Sequence, residues 1–206
     1  LDIDLVTHVI NWKEFKSIQK ALIKSSINNL EIATDHAIHA ILIKTAAKNK
    51  INFIINGNNT ASEGIMPLSW MESNHNKSLI TSIYKKFYPN NKIRSLPTIS
   101  LIEFFYYLIV KRIKYIPLLN FIKYDKKEAI NILQREVGYK PYVYKHYESI
   151  ITRFFQGYIL PKKFNIDKRL PHLSNLIYSN QMTKEETLKL LERPLYPSKE
   201  MENNDL

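Results

Sequence analysis

No cysteine occurs among the 206 residues. That excludes a disulfide framework, a thiolate metal site within this chain and a cysteine nucleophile. Glycine is scarce at 4 residues, so a glycine-rich phosphate loop has little to be built from. Arginine is the rare cation. Lys and Arg total 30 against 19 Asp and Glu, a net charge of +11, yet Lys dominates and Arg, the usual base reader, contributes few. Abundant Lys, Asn, Ile and Tyr fit a bias toward AT-rich codons equally well, and composition argues against a nucleic-acid partner. Long apolar runs are also missing. The longest, Ile99 to Val110, is broken by Ser100 and Glu103 and falls short of the roughly 20 residues of a membrane span. The chain opens Leu1-Asp2-Ile3-Asp4, with neither an initiator Met nor a basic-then-apolar leader. The expectation is a cytoplasmic, non-transmembrane protein that is a piece of something longer.

What is present suffices for a folded core, since 45% of the residues are hydrophobic, far above a disordered composition. Asp4 to Ile10 is β-branched and apolar and predicts a strand. Trp12, Phe15, Ile18 and Leu22 recur at helical spacing. Thr34 reads as the N-cap of a helix over Asp35 to Lys48, and Asp35 sits where the helix dipole favours a carboxylate. Lys50 to Ile55 predicts a short strand that ends in the polar loop Asn56 to Glu63. After about residue 65 the pattern is helical, with no convincing strand. Helices are predicted at Thr98 to Lys111 (apolar on most sides, hence buried or at an interface), from Asp125 to a stop at Gly138, from Glu148 to a stop at Pro161, and from Thr183 through Leu191 as the last helix. Three regions result: an α/β part at 1–64, a mainly helical part at 65–193 and a flexible polar tail at 194–206.

Charge is concentrated. Residues 77–127 hold eleven Lys and Arg against Glu103 and Asp125, interleaved with tyrosine and phenylalanine. This is either a surface for an anionic partner or a solvated Lys face over an aromatic core. Three constellations could support chemistry. Asn56 to Glu63 follows a strand end, where a carboxylate can hold Mg²⁺ or orient a nucleotide; an ordinary capping loop is the other reading. Lys162, Lys163, Lys168 and Arg169, with His172, could clamp a phosphate, or form a basic surface loop. His146, Glu148 and Arg153 offer a dyad, or a helix-start histidine beside a structural ion pair. His36, His39 and Asp35 lack further nearby ligands for a metal.

Thr34 to Ile38, Ile54 to Glu63, Tyr115 to Asn120, Lys145 to Phe154, Phe164 to Arg169, His172 to Ser174 and Ser179 to Glu186 together resemble the N-acetyl sugar amidotransferase family. The motifs occur in order over nearly the whole chain. The resemblance implies a PP-loop ATP pyrophosphatase with a partial Rossmann-like (adenine nucleotide alpha hydrolase-like) α/β parallel sheet, followed by a mainly helical C-terminal region. It also implies a reaction. ATP adenylates the oxygen of a sugar N-acetyl group, pyrophosphate leaves, and ammonia displaces AMP to leave an acetamidino group. Implied partners are a glutaminase subunit, a cyclase-like subunit that conducts ammonia, and a nucleotide- or lipid-linked N-acetyl sugar of lipopolysaccharide O-antigen or flagellin glycans. Implied cofactors are ATP and Mg²⁺.

By the same resemblance Glu63 holds Mg²⁺ or the nucleotide, Asn56, Gly57 and Asn58 contact AMP, and Asp35 supports the nucleotide pocket. Lys162, Lys168 and Arg169 clamp pyrophosphate, and His146 and Glu148 face the sugar. The family's Ser-Gly-Gly-x-Asp-Ser loop and its N-terminal cysteines are absent from this sequence. The expectation is therefore the C-terminal two-thirds of an enzyme, inactive alone and with unpaired strand edges. From another class, a basic binding module for RNA or an anionic surface remains open, as does another PP-loop enzyme.

Overall fold

A computed structural model describes residues 3–70, 76–142, 144, 147 and 149–206. In chain order it contains α1 (Trp12–Ser25), α2 (Ile32–Lys48), β1 (Phe53–Asn56), α3 (Thr60–Glu63), α4 (Lys77–Phe87), α5 (Leu101–Phe105), β2 (Lys114–Pro117), α6 (Lys126–Val137), α7 (Ile150–Phe154), α8 (Leu160–Phe164), α9 (Arg169–Tyr178), α10 (Lys184–Leu191) and α11 (Lys199–Asp205). β1 and β2 form a two-stranded parallel sheet. Packing divides the chain into two compact units: Leu1–Ile54 with Glu72–Ile116, and Ile55–Met71 with Pro117–Leu206.

The first unit is built on α2. Its apolar positions repeat every three to four residues, and Ala40, Ile43 and Ala46 pack with Ile54, Ile99 and Ile113 in one buried cluster. Lys50 takes the left-handed conformation at φ 55°. Ile51 N–H then donates to the Ala46 carbonyl at 2.8 Å, which closes α2 and delays the strand to Phe53. α1 follows its predicted face in part, with Ile18 and Leu22 buried but Trp12 exposed. Its Glu14 carboxylate accepts from the backbone N–H groups of Arg94, Ser95 and Leu96 at 2.8–2.9 Å. Buried His36 accepts the Ile99 N–H at Nε2, 3.1 Å away. His39 Nδ1 lies 3.4 Å from the Tyr115 hydroxyl. No cluster of three His, Asp or Glu among the described residues could hold a metal.

Several sequence expectations are corrected here. Residues 4–10 are not a strand: they form no regular element, and Leu5, Val6 and Val9 are exposed. Branched residues favour extended backbone, but a strand exists only through a paired neighbour. Thr34 lies inside α2, which begins two residues earlier after Glu31. A strand does follow residue 65. β2 is only four residues long, too short to show a period. The helix expected from Thr98 starts at Leu101 behind a Ser100–Glu103 capping box and widens into a π turn over Tyr106–Val110. Of the two readings, buried or at an interface, the first does not hold, since Ile102, Phe105 and Ile109 are exposed.

In the second unit α7 runs through a π turn, Phe155–Ile159, into α8 without a break. Pro161 therefore does not end the helix. The widened turn before it moves the carbonyl with which its ring would clash, and Asn165 at φ 53° makes the stop four residues later. α6 is capped by Asp125 and ends at Gly138, φ 66°, as read from sequence. α10 begins in the Thr183–Glu186 capping box, also as read. It is not the last helix, because residues 199–205 within the expected tail form α11, capped by Ser198.

Candidate functional site

α9 organises the second unit. Along one of its faces, at spacings of three and four, stand His172, Asn175 and Ser179, and all three hold the segment that follows β1. His172 Nδ1 lies 3.3 Å from the Ser62 carbonyl. A carbonyl only accepts, so Nδ1 carries the proton in this contact. Buried Asn175 accepts from Ile65 N–H at 2.8 Å and donates to the Ile65 and Pro171 carbonyls. The Ser179 hydroxyl donates to the Ala61 carbonyl at 3.0 Å. Asn59 caps α3 through Ser62 N–H, and Asn120 accepts from Thr60 N–H at 2.8 Å.

Beside that face of α9, and sharing His172 with it, lies a pocket of about 210 Å³. Leu173, Leu176, Met182 and Leu190 give it an apolar floor; Lys126, Lys168, Arg193 and His172 give it cations; Tyr144, Tyr147 and Gln156 give it polar and aromatic edges. Among the described residues Asp167 is its only carboxylate, and Arg169 engages that group through Nε at 3.1 Å and Nη2 at 2.7 Å. The remaining donors of Arg169 go to carbonyls at and just beyond the end of α10, including Arg193 O at 2.7 Å. Arg169 thus ties α9 to the C-terminus of α10 and neutralises Asp167, and the lysines and Arg193 set the sign of the pocket. Tyr147 donates its hydroxyl proton to the Leu195 carbonyl. Burial pushes its phenol up to about 12, with smaller effects from the charges of Arg169, Asp167 and Arg153, so it stays a donor through neutral pH. Gln181 bridges the Tyr124 carbonyl and Lys126 N–H at 3.0 and 3.1 Å, which fixes the start of α6 beside the pocket.

The residues singled out from sequence separate into groups. Lys168 lines the pocket, and its Nζ lies 3.8 Å from Met66 Sδ. Arg169 lines it too, engaged as described. Lys162 lies in a different hollow, stacked 3.9 Å over the Tyr158 ring and 3.6 Å from Glu202. Glu63 is exposed at the end of α3, and its charge, after burial, helps raise the Tyr124 phenol. Asn56 accepts the Asn58 N–H at 3.2 Å in a local turn, so that amide serves the loop itself, and Gly57 is exposed beside it. Asp35 is in the first turn of α2 in the first unit. His146 and Glu148 lie outside the described residues. Arg153, weighed as their neighbour, makes a two-pronged pair with Asp205 at 2.6 and 2.7 Å. Sequence reasoning missed Lys126, Tyr144, Gln156, Asn175 and Arg193. Lys126 left a trace as part of the basic segment 77–127, whereas Asn175 had none beyond its three- and four-residue spacing from His172 and Ser179.

Were Mg²⁺ to arrive with a nucleotide, Glu63 would offer it one carboxylate, which suffices only when phosphates and water complete the octahedron. For the phosphates themselves the fit is incomplete, because no glycine-rich loop is present in the 206 residues.

No helix among the described residues is long and apolar enough to cross a membrane. Neither the curated proteins nor the solved structures contain a match to this chain. Residues 148–206, which include α7 to α11 and most of the pocket lining, match the family model described as LPS biosynthesis protein WbpG-like, C-terminal domain.

Proposed function

We propose that this chain serves lipopolysaccharide biosynthesis as the sugar-handling portion of an N-acetyl sugar amidotransferase. The observation behind this reading is the pocket on α9. It combines cations with tyrosines and an apolar floor inside the segment that matches the WbpG-like C-terminal domain. A sugar attached to phosphate has the complementary character. Its phosphate is anionic, its ring has an apolar face that packs on tyrosine, and its acetamido group hydrogen-bonds to an amide.

On this reading Lys126, Lys168 and Arg193 hold the phosphate of a nucleotide- or lipid-linked N-acetyl sugar. Tyr144 and Tyr147 flank the ring, and Gln156 meets the acetamido group. His172 has its Nδ1 proton turned to Ser62. In the neutral ring Nε2 is then the basic nitrogen, suited to accept a proton from attacking ammonia. Arg169 positions α9 against α10. His146 and Glu148 flank Tyr147 in sequence and retain the sugar-facing role that the resemblance implies. Activation of the amide oxygen by ATP with Mg²⁺, the glutaminase and the ammonia-conducting partner all come from that resemblance, with Glu63, Asn56, Gly57, Asn58, Asp35 and Lys162 as its nucleotide-side residues.

The test is mass spectrometry of the surface polysaccharide from cells with and without the gene. Loss of an acetamidino group and recovery of the N-acetyl parent are expected. An unchanged glycan refutes the reading. The basic segment 77–127 favours a second reading, a module for an anionic polymer. It is tested by RNA binding that weakens steeply as salt rises.

A further inference from the structure

We propose that α11 is a latch that positions the aromatic wall of the pocket, acting through residues that themselves touch no ligand. The inference rests on the pocket as a binding site, but the latch has its own structural basis. Arg153 on α7 and Asp205 on α11 form a parallel two-pronged pair, Nε to Oδ2 at 2.6 Å and Nη2 to Oδ1 at 2.7 Å. Their side chains are only 15% and 3% exposed. Removing one member strands a buried charge, so such a pair is costly to break singly and specifies one arrangement. The neighbouring Lys162–Glu202 contact at 3.6 Å leaves its lysine 60% exposed and cannot substitute for it.

The pair anchors the segment between α10 and α11. In that segment Tyr196 is buried, with its ring against Gly157 in the π turn. A Cβ at position 157 would meet the Tyr147 hydroxyl oxygen at 2.8 Å and Tyr196 Cε2 at 2.9 Å. Glycine is therefore favoured there by close approach, with the Tyr147 hydroxyl and the Tyr196 ring seated on it. The same segment holds the pocket wall directly. The Tyr144 hydroxyl donates to the Pro194 carbonyl at 3.0 Å and the Tyr147 hydroxyl to the Leu195 carbonyl. Tyr144, Tyr147 and Leu195 line the pocket, whereas no residue of α11 does. The path runs from the Arg153–Asp205 pair along the segment it anchors to Tyr196, and through Gly157 to Tyr147. Arg153, Gly157, Tyr196 and Asp205 are positioning residues on this account.

The test combines amide hydrogen exchange with titration of UDP-N-acetylglucosamine as a probe, on the 206-residue chain and two variants. In Asp205→Asn, exchange across 195–198 is expected to rise tenfold or more while α9 keeps its protection, and probe affinity to fall five- to twentyfold. Gly157→Ala displaces the two rings with the ion pair intact, and the same loss of affinity is expected. If Asp205→Asn also deprotects α9, the fold has failed generally. Asp205→Glu then replaces it, and exchange raised at 195–198 alone is the expected result. Unchanged exchange at 195–198 in the position-205 variant overturns the latch. Gly157→Ala binding the probe like the parent overturns it as well. If the parent itself does not bind the probe, the pocket reading fails, and exchange at 195–198 alone decides the latch.

Discussion

Glu14 and His36 show how single side chains take over backbone hydrogen bonding where no regular element supplies it. Glu14 fills the cup formed by the Arg94, Ser95 and Leu96 amides. Burial acts to raise its carboxyl, but these donors and the Ser95 hydroxyl outweigh burial and hold it below its ordinary value. Glu14→Ala is expected to cost about 1–2 kcal/mol, read as a lower midpoint in urea. The Arg153 guanidinium, mainly by hydrogen bonding, holds Asp205 below the ordinary aspartate range, and Ser100 does the same for Glu103. A depressed carboxyl contributes stability that is complete above its unfolded value and lost as pH falls through the folded one. Acid unfolding is therefore expected to set in below about pH 4, and the Asp205→Asn variant is expected to show a shallower acid limb. His39 acts at higher pH. Burial, then the proximity of His36, lowers its pKa below the usual 6.5. The unfolded chain then binds the extra proton more readily, and stability falls as pH drops below that value. His39→Gln is expected to flatten stability between pH 5 and 7, measured by thermal unfolding.

Elements whose signals are local were legible in the sequence. The Thr183–Glu186 box, the Asp125 cap and the Gly138 stop each depend on neighbours a few residues away. The misreadings arose where distant partners decide. Residues 4–10 have strand chemistry but no partner strand among the described residues. Pro161 is accommodated by a π turn that no local rule announces. The candidate site was legible only in part for the same reason. Lys168 and His172 stand in one recognisable basic stretch, but Lys126 and Tyr144 reach the pocket from segments far away in sequence, and Asn175 looks like an ordinary helical polar residue. Its side chain nevertheless holds Ile65 N–H and C=O to α9. Asn175→Ala is expected to destabilise by about 2–3 kcal/mol, because buried backbone groups lose their partners. Hydrogen exchange should rise first at Ile65.

For the whole molecule, composition alone does not choose between the two readings. A net charge of +11 invites a polyanion, and the basic segment 77–127 is shared between two packing units. The charge with a defined geometry is the small set around α9, where an apolar floor and tyrosines lie beside it. That combination suits a phosphate-linked sugar better than a flexible polymer, and it coincides with the segment similar to the WbpG-like C-terminal domain. The most direct measurement is calorimetric titration of UDP-N-acetylglucosamine into the parent, Lys168→Ala and Lys140→Ala, at two salt concentrations. Lys140 is exposed and lies outside the pocket, so its variant removes the same charge elsewhere. Binding by the parent, at least tenfold weaker in Lys168→Ala and within twofold of the parent in Lys140→Ala, is the expected result. No binding by the parent, or equal losses in the two variants, would contradict a sugar-phosphate site on α9.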